Sequence, residues 1–316
     1  HHAWLETLIH DLYPQHRLTF RNLGFAGDEV QSRPRSDNFG TADAWLTKVG
    51  ADVVFCFFGY NEALRGEAGL PAFEKNVTAM LADMKRQKYN GQAAPRIVVF
   101  SPIAHENLNL PYLPDGVENN RNLLRYTQVM QRVSKAAGVL FVDLFHPTLE
   151  RYASAQSKPL SMNGIHLLEH GNRVLADVIM QDLFGVAGAS SGNPEQLEKL
   201  RQAVLEKNLH WFSRYRVVDG YNVFGGRSKL KWFGQSNADV MRREMEIFDV
   251  MTANRDQRVW SVAAGGDLKI ADKNLPKLVA VKTNKPGALA GGKHPYLSAQ
   301  DSIGKMKIAD GMQVNV

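Results

Sequence analysis

Residues 52–62 read Asp-Val-Val-Phe-Cys-Phe-Phe-Gly-Tyr-Asn-Glu. Val53 to Phe58 is an unbroken apolar run without polar alternation, the pattern of a strand buried on both faces. Such strands belong to parallel sheets covered by helices on either side. Gly59-Tyr60-Asn61-Glu62 then breaks the run in a turn.

The same pattern repeats outward from this stretch. Upstream, Ala3 to Leu12 has apolar residues at helical spacing and stops at Tyr13-Pro14. Leu18 to Phe25 reads as a short strand running into a Gly24/Gly27 turn, and Thr41 to Val49 as a helix opened by a Thr cap. Downstream, Pro71 to Lys88 is a helix with Pro in its first turn, and Arg96 to Ser101 is a strand ended by Pro102. Glu118 to Ala137 is a long amphipathic helix stopped by Gly138; Val139 to Asp143 is the next strand, and Glu169 to Phe184 the helix after it. Strands alternating with helices, joined by right-handed crossovers, predict a three-layer α/β/α sandwich around a parallel sheet.

Near Gly185 the composition changes. Gly185 to Pro194 is linker-like, and two helices follow, Glu195 to Tyr215 and Ala238 to Thr252. Past Gly265 no apolar period is sustained. The expected organisation is therefore an α/β domain over 1–185, a helical appendage over 186–264 and an extended tail or linker over 265–316.

Composition narrows the function classes. With 44% hydrophobic and 22% charged residues, the 316-residue chain can bury a sizeable core. No apolar run approaches the roughly 18–20 residues of a membrane span, and the opening His1-His2-Ala3-Trp4-Leu5-Glu6 is no signal peptide. The net charge of +6 comes from dispersed Lys and Arg without a recognition motif, so no nucleic-acid partner is expected. Cys56, the single cysteine, lies inside the buried run and reads as core packing. It excludes an internal disulfide and Cys-rich metal sites, and the histidines lack ligand spacing, so no metal or cofactor is implied.

Three turns carry the candidate chemistry: Asn22-Leu23-Gly24-Phe25-Ala26-Gly27-Asp28, Gly59-Tyr60-Asn61-Glu62, and Ser161-Met162-Asn163-Gly164-Ile165-His166-Leu167. Turns just past parallel strands line the carboxyl edge, where α/β folds bind ligands. Singly, each has a structural reading: Gly27 and Asn61 suit any turn, and a lone His is often a surface residue. Together they supply donors and a base in one order along the chain. His105-Glu106-Asn107, after the strand ending at Ser101, is expected on the same rim. Arg65 and Glu62 flank Asn61, and Trp211, Phe212, Tyr215 and Trp232 form either a sugar-stacking surface or packing for the appended helices.

The order and spacing of these turns resemble the SGNH (GDSL-like) hydrolase superfamily over roughly residues 1–185. The resemblance implies a flavodoxin-like sandwich, with Gly27 and Asn61 as the oxyanion hole and His166 as general base. It implies a small-molecule or polysaccharide acyl ester, preferably an acetyl ester, as substrate, with Glu62, His105 and Asp28 as substrate-binding residues. Two positions depart from the pattern. Asn163 stands where the family has the Asp of Asp-x-x-His, leaving Asp143, Asp28 or Glu169 as possible partners for His166. No Gly-Asp-Ser block precedes the first helix, and a sheet lacking that central strand would leave backbone unpaired, so the chain is expected to continue upstream of His1. Two readings result: an ester hydrolase with an upstream Ser, or a degenerate site that binds or scaffolds without catalysis. Arg21 to Gly24, Gly66 to Leu70 and Met251 to Asp256 also resemble the SGNH-type region of large exported proteins of planctomycetes, as do Val281 to Gly287. That resemblance implies a periplasmic or extracellular setting and neighbouring propeller and cytochrome c modules.

Overall fold

The computed structural model describes residues 2–154, 158–186, 188 and 192–282. Three parallel strands, β1 (Val53–Phe57), β2 (Arg96–Phe100) and β3 (Leu140–Val142), form the sheet in the order β1-β2-β3. Val53 pairs with Arg96 and Val98 with Leu140. Side chains alternate between the two faces, as the pleat requires. Cys56, Ile97 and Val99 enter one core with α4 (Leu70–Arg86) and α5 (Val117–Ala137). Phe55, Val98, Phe100 and Val142 face the other side, toward α1 (Trp4–Leu12) and α7 (Glu169–Phe184). Both faces are apolar because both are covered, which is why β1 reads as an unbroken run. The protein has the α/β/α sandwich with a parallel sheet that the sequence predicts.

Helix α2 (Ala42–Lys48) starts at Thr41, whose hydroxyl accepts the Ala44 N–H at 3.1 Å. Its Leu46 joins the α4/α5 core, so α2 lies on that face, opposite α1. The turn helix α3 (Tyr60–Ala63) and the helix α6 (Phe145–Ala153) escape sequence reading, being short and partly polar.

Leu18 to Phe25, expected as a strand, is not one: it pairs with no strand among the described residues. Its outward edge is met instead by side chains of α8 (Pro194–Tyr215) and α10 (Asn237–Ala263). Trp260 Nε1 donates to Leu18 O (2.6 Å), Lys207 Nζ to Phe20 O (3.2 Å), Trp211 Nε1 to Asn22 O (2.8 Å) and Tyr215 OH to Leu23 O (2.9 Å). Arg216 adds a bond to Gly24 O. Carbonyls that a neighbouring strand would take are satisfied by an indole, ammonium, phenol and guanidinium row.

Helix α10 runs to Ala263, past the expected end at Thr252. Its buried face there carries charges that hide the apolar period: Asp256 pairs with Arg21, and Arg255 with Glu206 and Asp272. The short α9 (Gly220–Val223) and a two-stranded hairpin of β4 (Lys231–Trp232) and β5 (Gln235–Ser236) join α8 to α10. Lys207 on α8, fully buried, pairs with Glu6 of α1 at 2.6 Å. Among the described residues no helix is long and apolar enough to cross a membrane. The expected tail is described to Lys282; residues 283–316, and part of the expected linker, lie outside the described residues.

Candidate active site

The carboxyl end of β1 opens into Gly59, whose φ of 99° favours glycine and whose missing side chain leaves room for Met130, Pro102 and Phe73. Two residues on, the Asn61 amide donates to Asp28 O at 3.1 Å. Glu62 is buried, with both carboxylate oxygens taken: Oε1 accepts Val30 N–H (2.8 Å) and Oε2 accepts Gly59 N–H (2.9 Å). These bonds tie the Gly59–Glu62 turn to the turn that carries Gly27 and Asp28. Asp28 pairs with Arg35 (2.6 Å) and accepts Phe25 N–H (3.1 Å). Gly27 itself is exposed at φ 81°, with open space around it. Its N–H enters no hydrogen bond among the described residues.

The loop before α7 carries His166, which is exposed. A bridge between Ser161 and Leu167 closes the loop, and Met162 N–H donates to His166 O at 2.9 Å. Asn163 Oδ1 accepts the His166 backbone N–H at 3.0 Å and lies 3.0 Å from Nδ1. An amide oxygen only accepts, so Nδ1 carries a proton, and in the neutral ring the lone pair is on Nε2. Asn163 thus occupies the orienting position geometrically, with a neutral oxygen in place of a carboxylate. Asp143 is engaged with His146 (2.5 Å), Glu169 with Arg201 (3.2 Å) and Asp28 with Arg35; none of them bonds His166.

Beneath this loop lies Glu106, 5% exposed. Its Oε1 accepts Leu160 N–H (2.9 Å), and its Oε2 accepts Ser161 N–H (2.7 Å) and the Ser161 hydroxyl (2.6 Å). Ser161 Oγ in turn accepts Gly164 N–H at 2.9 Å, and Glu106 N–H donates to Gly164 O at 2.9 Å. A buried carboxylate without a cation is tolerable because these donors replace water. His105, 7% exposed, packs against Gly116 and Gly164, where a side chain would collide with its ring. Burial lowers its pKa. Asn119 Nδ2 donates to Tyr60 OH (2.7 Å) and faces His105 Nδ1 (3.0 Å).

These contacts link up. From Gly27–Asp28 through Asn61 and Tyr60, through Asn119 to His105–Glu106, and through Ser161 to Asn163 and His166, hydrogen bonds and peptide bonds run without a break. Tyr60, Glu106 and Ser161 lie in stretches that the sequence marks for the rim but without a role of their own, and Asn119 is absent from the sequence-based set. The sequence signal for Glu106 is its place beside His105 just past a strand; Asn119 reads as an ordinary surface position of a helix. Arg65 pairs with Glu29, Trp211 and Tyr215 are buried with Trp45, and Trp232 is exposed on the hairpin.

Chemically, these turns offer the free N–H of Gly27, the second amide hydrogen of Asn61 and an imidazole oriented through its Nδ1. No Ser, Thr or Cys side chain bonds His166 among the described residues. Burial pushes the Cys56 thiol up to about 12, so it is no nucleophile.

Several solved structures resemble the chain. A catalytic variant of Axe2, an acetylxylan esterase from Geobacillus stearothermophilus, is 17% identical over 58% of this chain and 80% of its own, with a TM-score of 0.46. A second Axe2 variant from the same organism is 17% identical over 60% of this chain and 83% of its own, also at 0.46. The acetyl xylan esterase AlAXEase is 17% identical over 51% of this chain and 79% of its own, at 0.38. No curated protein matches the chain. The family evidence is in the sequence itself: residues 1–174, which contain all three rim turns, match the model of the GDSL-like lipase/acylhydrolases. More than half of the chain is covered by that match, and the chain therefore belongs to the GDSL-like lipase/acylhydrolase family.

Proposed function

We propose that the rim hydrolyses acyl esters, with His166 as general base and the Gly27 N–H and Asn61 amide as oxyanion donors. The unbroken hydrogen-bonded path from the Gly27 turn to the His166 loop is the observation that carries this reading. A hydroxyl oxygen bonds the ester carbonyl carbon while its proton passes to His166 Nε2. The carbonyl oxygen becomes an oxyanion facing the two donors, each worth about 10²–10³ in rate. Collapse breaks the bond to the leaving alkoxide, which takes the proton back from Nε2 and departs as an alcohol. If the attacking hydroxyl is water, the acid is released directly; if it is a serine, a second water repeats the cycle. Glu62 and His105, both buried, fit the role of holding the turns in place better than touching substrate.

The substrate class we propose is the acetyl ester of a carbohydrate, resting on the sequence resemblance. On the same ground we propose that the chain is a region of a larger exported protein carrying propeller and cytochrome c modules. An antibody raised against this chain should then detect a native polypeptide well above 35.3 kDa.

Asn163 favours a second reading, a site that binds an acylated glycan without turning it over. A neutral partner stabilises the imidazolium less than a carboxylate does, and Asp→Asn in a triad costs about 10⁴ in turnover. Release of p-nitrophenol from its acetate, and of acetate from an acetylated glycan, separates the two. Turnover abolished by His166→Ala supports hydrolysis. Equal background rates in both proteins, with calorimetric binding of the acetylated but not the deacetylated glycan, would leave the binding reading.

A further inference from the structure

The turn that carries Gly27 is also where a guanidinium stands without an anion. Phe25 to Asp28 close a four-residue turn, Asp28 N–H donating to Phe25 O at 3.3 Å, with Gly27 in its third position at φ 81°. Two arginines reach this turn. Arg35 forms a fork with Asp28, Nη1 to Oδ1 at 2.9 Å and Nη2 to Oδ2 at 2.6 Å, and its guanidinium carbon lies 3.7 Å from the Phe25 ring centroid. Asp28 Oδ2 also accepts Phe25 N–H, so both oxygens of that carboxylate are engaged. Arg216 comes from the C-terminal end of α8, outside the residues 1–174 that match the family. Its guanidinium carbon lies 5.3 Å from the Phe25 ring centroid and 5.2 Å from that of Phe212, and one N–H donates to Gly24 O.

Arg216 is half-buried, yet it forms no ion pair among the described residues, and its remaining N–H groups bond nothing there. Asp219, three residues on, is held by Asn222. Two guanidinia thus share the one carboxylate of Asp28. Burial pulls Arg216 below the ordinary guanidinium value and Arg35 adds to the effect, whereas Arg35, in spite of its own burial, is raised by Asp28. A cation withdrawn from water without a counter-charge is costly. One at a helix end ordinarily covers that helix's last carbonyls. Arg216 instead reaches across to Gly24 and rests against two rings, which restricts its side chain before any ligand arrives. A guanidinium fixed in this way, with N–H groups to spare, matches a carboxylate, which accepts two of them in one plane. Arg216, Phe25, Asp28 and Asn61 line one cavity, so an anion on Arg216 and an acyl group at Asn61 would share a space.

We propose that Arg216 is a specificity-determining residue that binds a carboxylate of the substrate, so that the preferred ester sits on an acidic glycan, one that bears a uronate. The inference rests on the rim being the place where an acyl ester binds. Arg216 selects the substrate and takes no part in bond making.

The test measures binding by calorimetry on the His166→Ala chain, so that a failed hydrolysis assay and a failed anion preference are separate results. The probes are an acetylated oligosaccharide carrying one uronate and the same oligosaccharide with that carboxyl reduced to the alcohol. The acidic probe should bind at least about tenfold more tightly, the scale of a hydrogen bond between charged groups. The preference should shrink as salt is raised. Arg216→Gln, which keeps an N–H for Gly24 O but carries no charge, should make the two probes bind alike, and Arg216→Lys should restore part of the difference. Equal binding of the two probes, or binding of neither, overturns the proposal without any change at Arg216. So does a preference that survives Arg216→Gln.

Discussion

Replacing Glu106 by glutamine tests how the His166 loop is held. The wild-type carboxylate offers acceptors only, and three donors converge on it: Leu160 N–H, Ser161 N–H and the Ser161 hydroxyl, at 2.9, 2.7 and 2.6 Å. Glutamine keeps the volume but turns one oxygen into an NH₂ donor. In its better orientation the amide oxygen keeps the two Ser161 bonds, and the NH₂ opposes Leu160 N–H. One buried donor left unpaired costs about 1–3 kcal/mol, and the surviving bonds lose their charge assistance. The sum is about 2–4 kcal/mol. At about 2–4 °C per kcal/mol, Glu106→Gln should melt roughly 5–15 °C below wild type in a calorimetric or circular-dichroism scan. A melting point within a degree of wild type would refute the reasoning, because it would mean the three donors have other partners.

The other predictions concern neighbouring features. Gly164 sits at φ 90°, with His105 Cδ2 at 2.8 Å and Glu106 O at 2.9 Å from where a Cβ would stand. Gly164→Ala should cost at least about 1–3 kcal/mol in urea unfolding, and an unchanged midpoint would count against this packing. Cys56, its thiol raised by burial, should resist a disulfide reagent at pH 8 in the folded protein and react at once in denaturant; fast labelling of the native chain would contradict its burial. For Glu6, burial alone would raise the pKa, but Lys207 and His10 outweigh it and hold the folded carboxyl below its ordinary value. A depressed folded pKa stabilises above the unfolded value of about 4.3 and loses that contribution as pH falls through the folded one. The melting-point gap between wild type and Glu6→Gln should be full at pH 7 and shrink below about pH 4; a gap that stays constant sinks the assignment.

Local chemistry made β1 legible, since Val53 to Phe58 can satisfy its apolar faces only between two helical layers. The Gly59–Glu62 turn was legible for a related reason: glycine and asparagine just past a strand leave a short-range signature. Leu18 to Phe25 was not, because a strand is defined by its partners, and here one edge meets side chains more than 180 residues away. The second half of α10 hid for a similar cause, the ion pairs of Arg255 and Asp256 interrupting the apolar face that Val259 and Val262 continue. The place of Glu106 was legible but its burial was not, because a carboxylate in a polar loop reads as solvated unless the donors of Leu160 and Ser161 are already known to converge on it.

The row of side chains along Leu18–Gly24 also bears on solubility. An extended segment with bare carbonyls is a template onto which another molecule can add, and proteins avoid such margins by covering them. Trp260, Lys207, Trp211, Tyr215 and Arg216 are that cover, and all of them come from beyond residue 185. A fragment ending at residue 185 would keep every rim turn yet expose this margin. It should self-associate where the longer chain stays dispersed, a difference that light scattering at equal concentration would register.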